Sequence, residues 1–151
     1  MLTETLTQDL KKAMLAKDRV LTRTIRSLKA ALLDKEIELR TGGVAEVSDD
    51  VALAVLQKQA KQRRDSIEQF EKADRDDLAA TEHEELDVIQ SYLPEQLSEE
   101  EIRKEVLAVI EETEATSMKD MGRVMGPIMS RLKGKADGRK VQSVVKELLS
   151  A

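Results

Sequence analysis

The chain is 151 residues long, 40% of them apolar and 36% charged, and its 25 Lys and Arg against 30 Asp and Glu leave a net charge of −5. Many charges with little net repulsion fit a folded chain with solvated helix faces, not the high net charge of disorder. Phe70 and Tyr92 are the only aromatics and there is no Cys. This argues against an aromatic-rich β-sandwich or barrel, removes stacking platforms for single-stranded nucleic acid, and excludes disulfides, zinc knuckles and thiol chemistry.

Taken in chain order, Leu2, Leu6, Leu10 and Met14, with Ala13 beside them, recur as the apolar stripe of a first helix. Asp18 is placed to cap a second helix, whose stripe runs through Leu21, Ile25, Leu28 and Leu32 towards Ile37. The pair Gly42-Gly43 is expected to end it. Ser48 then caps a third helix of about 25 residues, on which Val51, Val55, Leu56, Ala60, Ile67 and Phe70 share a face. After the acidic break Asp74-Arg75-Asp76-Asp77, a fourth helix points Leu78, Leu86 and Ile89 one way and stops before Pro94.

Ser98-Glu99-Glu100-Glu101 reads as a capping box opening a fifth helix, with Ile102, Val106, Val109 and Ile110 inward. Ser117 is expected to cap a sixth segment, Met118 to Leu132, which Pro127 kinks or splits and Gly134 ends. Asp137 caps a last helix through Val141, Val144, Val145, Leu148 and Leu149. No segment reads as a strand, so the expected fold class is all-α. Four helices, the middle two long, make an amino-terminal domain over 1–92, and a small three-helix tail domain follows over 93–151. No apolar run approaches the ~20 residues of a membrane span, and Met1–Lys12 has no apolar signal core. The expectation is no membrane association and a reducing, cytoplasmic location.

Charge is unevenly spread. Residues 93–115 hold Arg103 and Lys104 against eight Glu, whereas 116–151 hold eight basic residues against Asp120, Asp137 and Glu147. Five of those eight (Arg131, Lys133, Lys135, Arg139, Lys140) fall within residues 131–140. Arg19, Arg23, Arg26 and Lys29 make a basic stripe on the second helix, and Lys58, Lys61, Arg63 and Arg64 cluster on the third. Stripes of this kind are ordinarily solvated faces paired with neighbouring acids. The segment Leu132–Lys140 is the better candidate for phosphate contact, because Gly134 and Gly138 bring main chain to the surface between cations. Asp137 would occupy the amides of the last helix itself, so contact is expected through side chains. The spacing is not that of a P-loop.

Catalytic groupings are lacking. His83 sits in Glu82-His83-Glu84-Glu85-Leu86-Asp87 with no second His, and an exposed acidic face explains it better than a metal site. Gly122-x-x-x-Gly126 is expected to let the sixth segment approach a neighbouring backbone. Met118, Met121, Met125 and Met129 suit a small core or an adaptable groove. With no Ser-His-acid set, no catalytic residue, metal or cofactor is assigned.

Tyr92-Leu93-Pro94-Glu95-Gln96-Leu97-Ser98, Met121-Gly122-Arg123-Val124-Met125, Lys133-Gly134-Lys135-Ala136-Asp137-Gly138 and Val144-Val145-Lys146-Glu147-Leu148-Leu149 resemble the GatB/YqeY family, as does Gln62-Arg63-Arg64-Asp65-Ser66-Ile67. The resemblance covers the whole chain and points to the stand-alone YqeY-like proteins. Its last part resembles the tail domain of the B subunit of glutamine-dependent aspartyl/glutamyl-tRNA amidotransferase, which contacts the body of the tRNA. The family label this implies, carbon–nitrogen ligase with glutamine as amide donor, belongs to a machine whose kinase-like cradle and amidase this chain lacks. The resemblance therefore implies a non-catalytic module that binds tRNA or other structured RNA through Lys133, Lys135, Arg139 and Lys140, assisted by Arg123 and Arg131. The alternative is a protein-interaction adaptor for a tRNA synthetase or amidotransferase subunit, using the amino-terminal helices.

Overall fold

A computed structural model describes residues 1–40, 43 and 45–150, and every regular element among them is helical. The chain divides into two compact units, Met1–Leu93 and Pro94–Ala151.

The first unit holds α1 (Leu2–Leu15), α2 (Arg19–Leu39), α3 (Asp49–Lys72) and α4 (Asp76–Ser91). The starts of α2 and α3 are local chemistry. Leu21 N–H donates to Asp18 Oδ1 at 3.0 Å, and Val51 N–H donates to Ser48 Oγ at 3.3 Å. Each side chain satisfies an amide that the first helical turn leaves without a partner. Leu6, Ile25, Leu28, Leu56 and Ile89 are fully buried in one cluster that also takes in Leu93. Burying each such side chain contributes about 1.5–3 kcal/mol before entropy is counted. Helix α3 packs chiefly on α4, and α1 on α2.

The expected stripes hold at their centres and drift at their ends. Met14 is 50% exposed and Ile37 is 53% exposed. Steps of four residues advance 400° around a helix that repeats at 360°, so by Met14 the stripe has rotated about 120° from Leu2 and leaves the core. Ala13 is buried in its place. Asp76 and Asp77 form the first turn of α4 instead of a break. The expected glycine stop of α2 at Gly42 lies outside the described residues; α2 itself ends at Leu39.

The second unit holds α5 (Glu99–Thr113), a short 3-10 turn at Met118–Asp120, α6 (Met121–Arg131) and α7 (Gly138–Ser150), packed pairwise around Ile102, Val106, Val109, Val124, Ile128, Val141 and Val145. The capping box at α5 is complete: Glu101 N–H donates to Ser98 Oγ at 3.2 Å and Ser98 N–H to Glu101 Oε2 at 2.8 Å. At the next start, the carboxylate of Asp120 accepts from Thr116 N–H at 2.9 Å and Ser117 N–H at 3.3 Å. Those donated bonds hold the Asp120 pKa below its ordinary value, the Thr116 amide contributing most.

The sixth segment is divided at Asp120–Met121, not at Pro127, and α6 runs through the proline. Pro127 lies on the exposed side of α6, as does Arg123, the residue whose carbonyl loses its helical donor to the proline. Gly126, directly before it, lacks the Cβ that would crowd the proline ring in helical geometry. Gly122 and Gly126 do not serve close backbone approach. Both are exposed, and a Cβ on either meets no heavy atom within 4 Å outside its immediate neighbours. Met121 and Met125 pack against the core, while Met118 and Met129 remain exposed.

Three helices end on the same closure without glycine. Lys17, Asp74 and Glu114 take positive φ of 58°, 56° and 54°. In each case the following amide reaches back across the turn: Asp18 N–H to Ala13 O at 3.0 Å, Arg75 N–H to Phe70 O at 2.8 Å, and Ala115 N–H to Ile110 O at 3.1 Å. These are Schellman closures, which glycine would make with less strain.

Candidate nucleic-acid interface

Between α6 and α7 the chain makes a tight, pinned turn. Gly134 sits at φ 76°, a left-handed conformation that costs glycine little. Lys135 N–H donates to Leu132 O at 2.9 Å, and the Lys135 carbonyl accepts from Leu97 N–H at 2.9 Å. Gln96 Nε2 donates to both Gly134 O and Pro94 O at 2.8 Å. A Cβ on Gly134 would stand 3.6 Å from Pro94 Cγ. Two short motifs about forty residues apart, Pro94-Glu95-Gln96-Leu97 and Lys133-Gly134-Lys135, are thus two sides of one contact. In the sequence each motif stands alone; the signal linking them is the amide of Gln96, a polar side chain beside a proline turn with backbone carbonyls to satisfy.

On this anchored backbone Lys133, Lys135, Arg139 and Lys140 all have exposed side chains. Among the described residues no carboxylate pairs with Lys135, Arg139 or Lys140. Asp137 Oδ1 accepts from Arg139 N–H at 3.0 Å, so the start of α7 is occupied by its own cap.

The two assisting arginines are engaged elsewhere. Arg131 Nη2 grips both carboxylate oxygens of Glu112 at 2.7 and 2.6 Å, which together with the adjacent negative charge raises its pKa further. Arg123 donates to Thr113 O at 2.7 Å and to Asp120 Oδ1 at 3.3 Å. Both therefore tie α6 to the end of α5, and the acidic excess of α5 is partly neutralised within its own unit.

In the first unit one arginine of each basic stripe, Arg23 on α2 and Arg63 on α3, is engaged in the same way. Glu85 on α4 accepts from Arg23 Nε at 2.9 Å and from Arg63 Nε at 3.2 Å. Arg63, only 13% exposed, also donates to Gln59 Oε1 at 2.7 Å and Ser27 Oγ at 3.0 Å. This network joins α2, α3 and α4, and nothing in the sequence singles out Arg63 among the basic residues of α3 as its member. Lys29 Nζ donates to Thr7 Oγ1 at 3.1 Å. His83 lies 3.6 Å from Glu71 Oε1. Among the described residues no three His, Cys, Asp or Glu side chains converge as metal ligands, and no helix is long and apolar enough to cross a membrane.

Residues 3–149 match the family model YqeY, described as Yqey-like protein. The protein called "Altered inheritance of mitochondria protein 41, mitochondrial" in Pyrenophora tritici-repentis is 35% identical over 147 residues, covering 95% of this chain and 78% of that protein. Its namesake in Saccharomyces cerevisiae (strain YJM789) is 33% identical over 141 residues, covering 93% of this chain and 64% of the relative, just under two thirds of its length. A third, from Eremothecium gossypii, is 47% identical over 89 residues, covering 58% of this chain and 46% of the relative. The expectation of a cytoplasmic location is corrected by these relatives, whose names place them in mitochondria. The physical reason is plain. Mitochondrial targeting segments are basic and amphipathic, so the lack of an apolar signal core carries no information against them, and a Cys-free chain suits more than one compartment.

Proposed function

Since this chain belongs to the Yqey-like protein family, we propose that its second unit is a non-catalytic module that docks on tRNA or similarly structured RNA, as the tail of the tRNA amidotransferase B subunit does. Lys133, Lys135, Arg139 and Lys140 make the phosphate contacts, while Arg123 and Arg131 hold the helices that present them. The observation that carries this reading is the pinned turn: its backbone is fixed by Leu97 and Gln96 while its cations project into solvent. A rigid platform loses little entropy on binding, so each phosphate contact retains its value. Recognition is of backbone and shape, with no aromatic residue in this unit to stack a base.

The test is fluorescence anisotropy with bulk tRNA over a salt series, beside Lys133→Glu/Lys135→Glu. Contact with three or four phosphates predicts a log–log salt slope of about −2 to −4, and the double variant should lose at least about tenfold in affinity. Absence of binding at low salt would sink the proposal.

A second reading, a protein adaptor, is favoured by one feature of the first unit. Leu33 and Ile37, one turn apart on α2, are 51% and 53% exposed, and Leu33 borders an open cleft of about 570 Å³ that also includes Met1 and Val47. Exposed apolar side chains at helical spacing suit a partner helix. Leu33→Glu/Ile37→Glu should abolish a protein complex recovered from nuclease-treated extract, with tRNA affinity unchanged. A complex that survives the substitution removes this reading.

A further inference from the structure

We propose that the cleft of about 440 Å³ where α1 gives way to α2 binds a small polyphosphate, held by Lys17, Arg19 and Arg26 with Arg23 in its wall. Four cations line this concavity against one carboxylate, Asp18, in a chain whose net charge is −5. Asp18 Oδ1 is already committed to Leu21 N–H. Arg23 is held by Glu85. Among the described residues Lys17, Arg19 and Arg26 have no carboxylate partner, and Arg26 Nη2 meets the thioether sulfur of Met14 at 3.9 Å. A thioether is a weak acceptor, and a guanidinium offers five donors, so most of the donor capacity at this wall is unspent. Like charges gathered in one concavity repel, and they raise the local concentration of an anion that can bridge them.

Lys17 closes α1 at φ 58°, as Asp74 and Glu114 close their helices, and it lines the cleft. The ligand class follows from shape and chemistry. The volume suits a small molecule rather than a length of duplex, several cations call for adjacent phosphates, and no aromatic side chain lines the cleft to stack a base. The recognised group is therefore a diphosphate, free or carried by a nucleotide.

The experiment is calorimetric titration of the full chain with pyrophosphate, ADP, inorganic phosphate, sulfate and a short RNA. It is repeated on Arg19→Gln/Arg26→Gln, Lys17→Gly and Lys133→Glu/Lys135→Glu. Pyrophosphate should bind at least about tenfold more tightly than inorganic phosphate, and Arg19→Gln/Arg26→Gln should weaken it at least about tenfold. Lys17→Gly should weaken binding while raising the thermal midpoint, which separates lost affinity from lost folding. The tail variant should bind pyrophosphate unchanged, so the outcome is independent of the RNA-binding proposal. ADP equal to pyrophosphate supports recognition of the diphosphate alone, and tighter ADP supports a nucleotide. No saturable pyrophosphate binding overturns the proposal, as does equal loss in the tail variant. RNA binding that depends on Arg19 and Arg26 while pyrophosphate fails also overturns it, and would assign the cleft to nucleic acid.

Discussion

Tyr92 spans more of the chain than any other hydrogen-bonding side chain in the first unit. Its hydroxyl donates to Asp9 Oδ2 at 2.7 Å, across 83 residues of sequence. Burial, then the Asp9 hydrogen bond and charge, push its pKa well above the ordinary phenol value. The folded state therefore keeps the proton after the unfolded chain has lost it. Stability is fully present below about pH 10 and falls as pH rises beyond it. Tyr92→Phe should cost about 1 kcal/mol near neutrality and flatten this alkaline fall, read by urea denaturation at pH 8 and pH 11. Glu85 is the second residue of this kind. With Arg63 and Glu85 each 13% exposed, Glu85→Ala leaves two guanidinium groups short of an acceptor and should cost about 2 kcal/mol, less than a fully buried pair. Arg23→Ala, at a side chain 46% exposed, should cost under about 1 kcal/mol in the same assay. Neither partnership was readable beforehand, because Arg23 and Glu85 are 62 residues apart and a basic stripe looks alike whichever way it faces.

Among the elements, the helix ends carry the instructive discrepancies. Starts were legible because a cap acts over three residues: Asp18, Ser48 and Ser98 each bond the amide three positions on. Ends were less so, since Lys17, Asp74 and Glu114 adopt the left-handed closure without the glycine that would advertise it. Asp74→Gly and Glu114→Gly should each stabilise the chain by about 0.5–1 kcal/mol, the relief of left-handed strain exceeding the added entropy of the unfolded state. Thermal unfolding of the two single variants is sufficient to check this. Gly122 and Gly126 look equivalent in sequence and should differ in effect. Gly122→Ala, exposed and unobstructed, should stabilise α6 by about 0.5–1 kcal/mol, whereas Gly126→Ala should gain less or lose, because its Cβ would meet the ring of Pro127. Equal gains at both positions would remove this explanation of how α6 runs through a proline.

At the scale of the whole chain, two hydrophobic clusters lie either side of Leu93 and Pro94, each drawn entirely from its own unit. The shorter unit buries Ile102, Val106, Val109, Val124, Ile128, Val141 and Val145 within fewer than 60 residues, near the lower size limit for a self-supporting core. A fragment of residues 94–151 should therefore fold cooperatively by circular dichroism, with a midpoint below that of the intact chain. A non-cooperative helical signal would mean the shorter unit needs the rest of the chain. If the fragment folds, it also isolates the pinned basic turn for RNA titration away from the cations of α2.

All-helical character, the positions of most helices and the caps that start them followed from side-chain period and from bonds three or four residues long, which any stretch of chain carries within itself. The basic segment at 131–140 was visible for the same reason. Which cations are spoken for was decided only by tertiary packing. Arg131 is taken by Glu112, Arg63 by Glu85, Gln59 and Ser27, while Lys135, Arg139 and Lys140 project from a turn that Gln96 and Leu97 hold in place. Charge is a property of a residue, but pairing depends on distance between residues remote in sequence, and composition along the chain does not contain that distance.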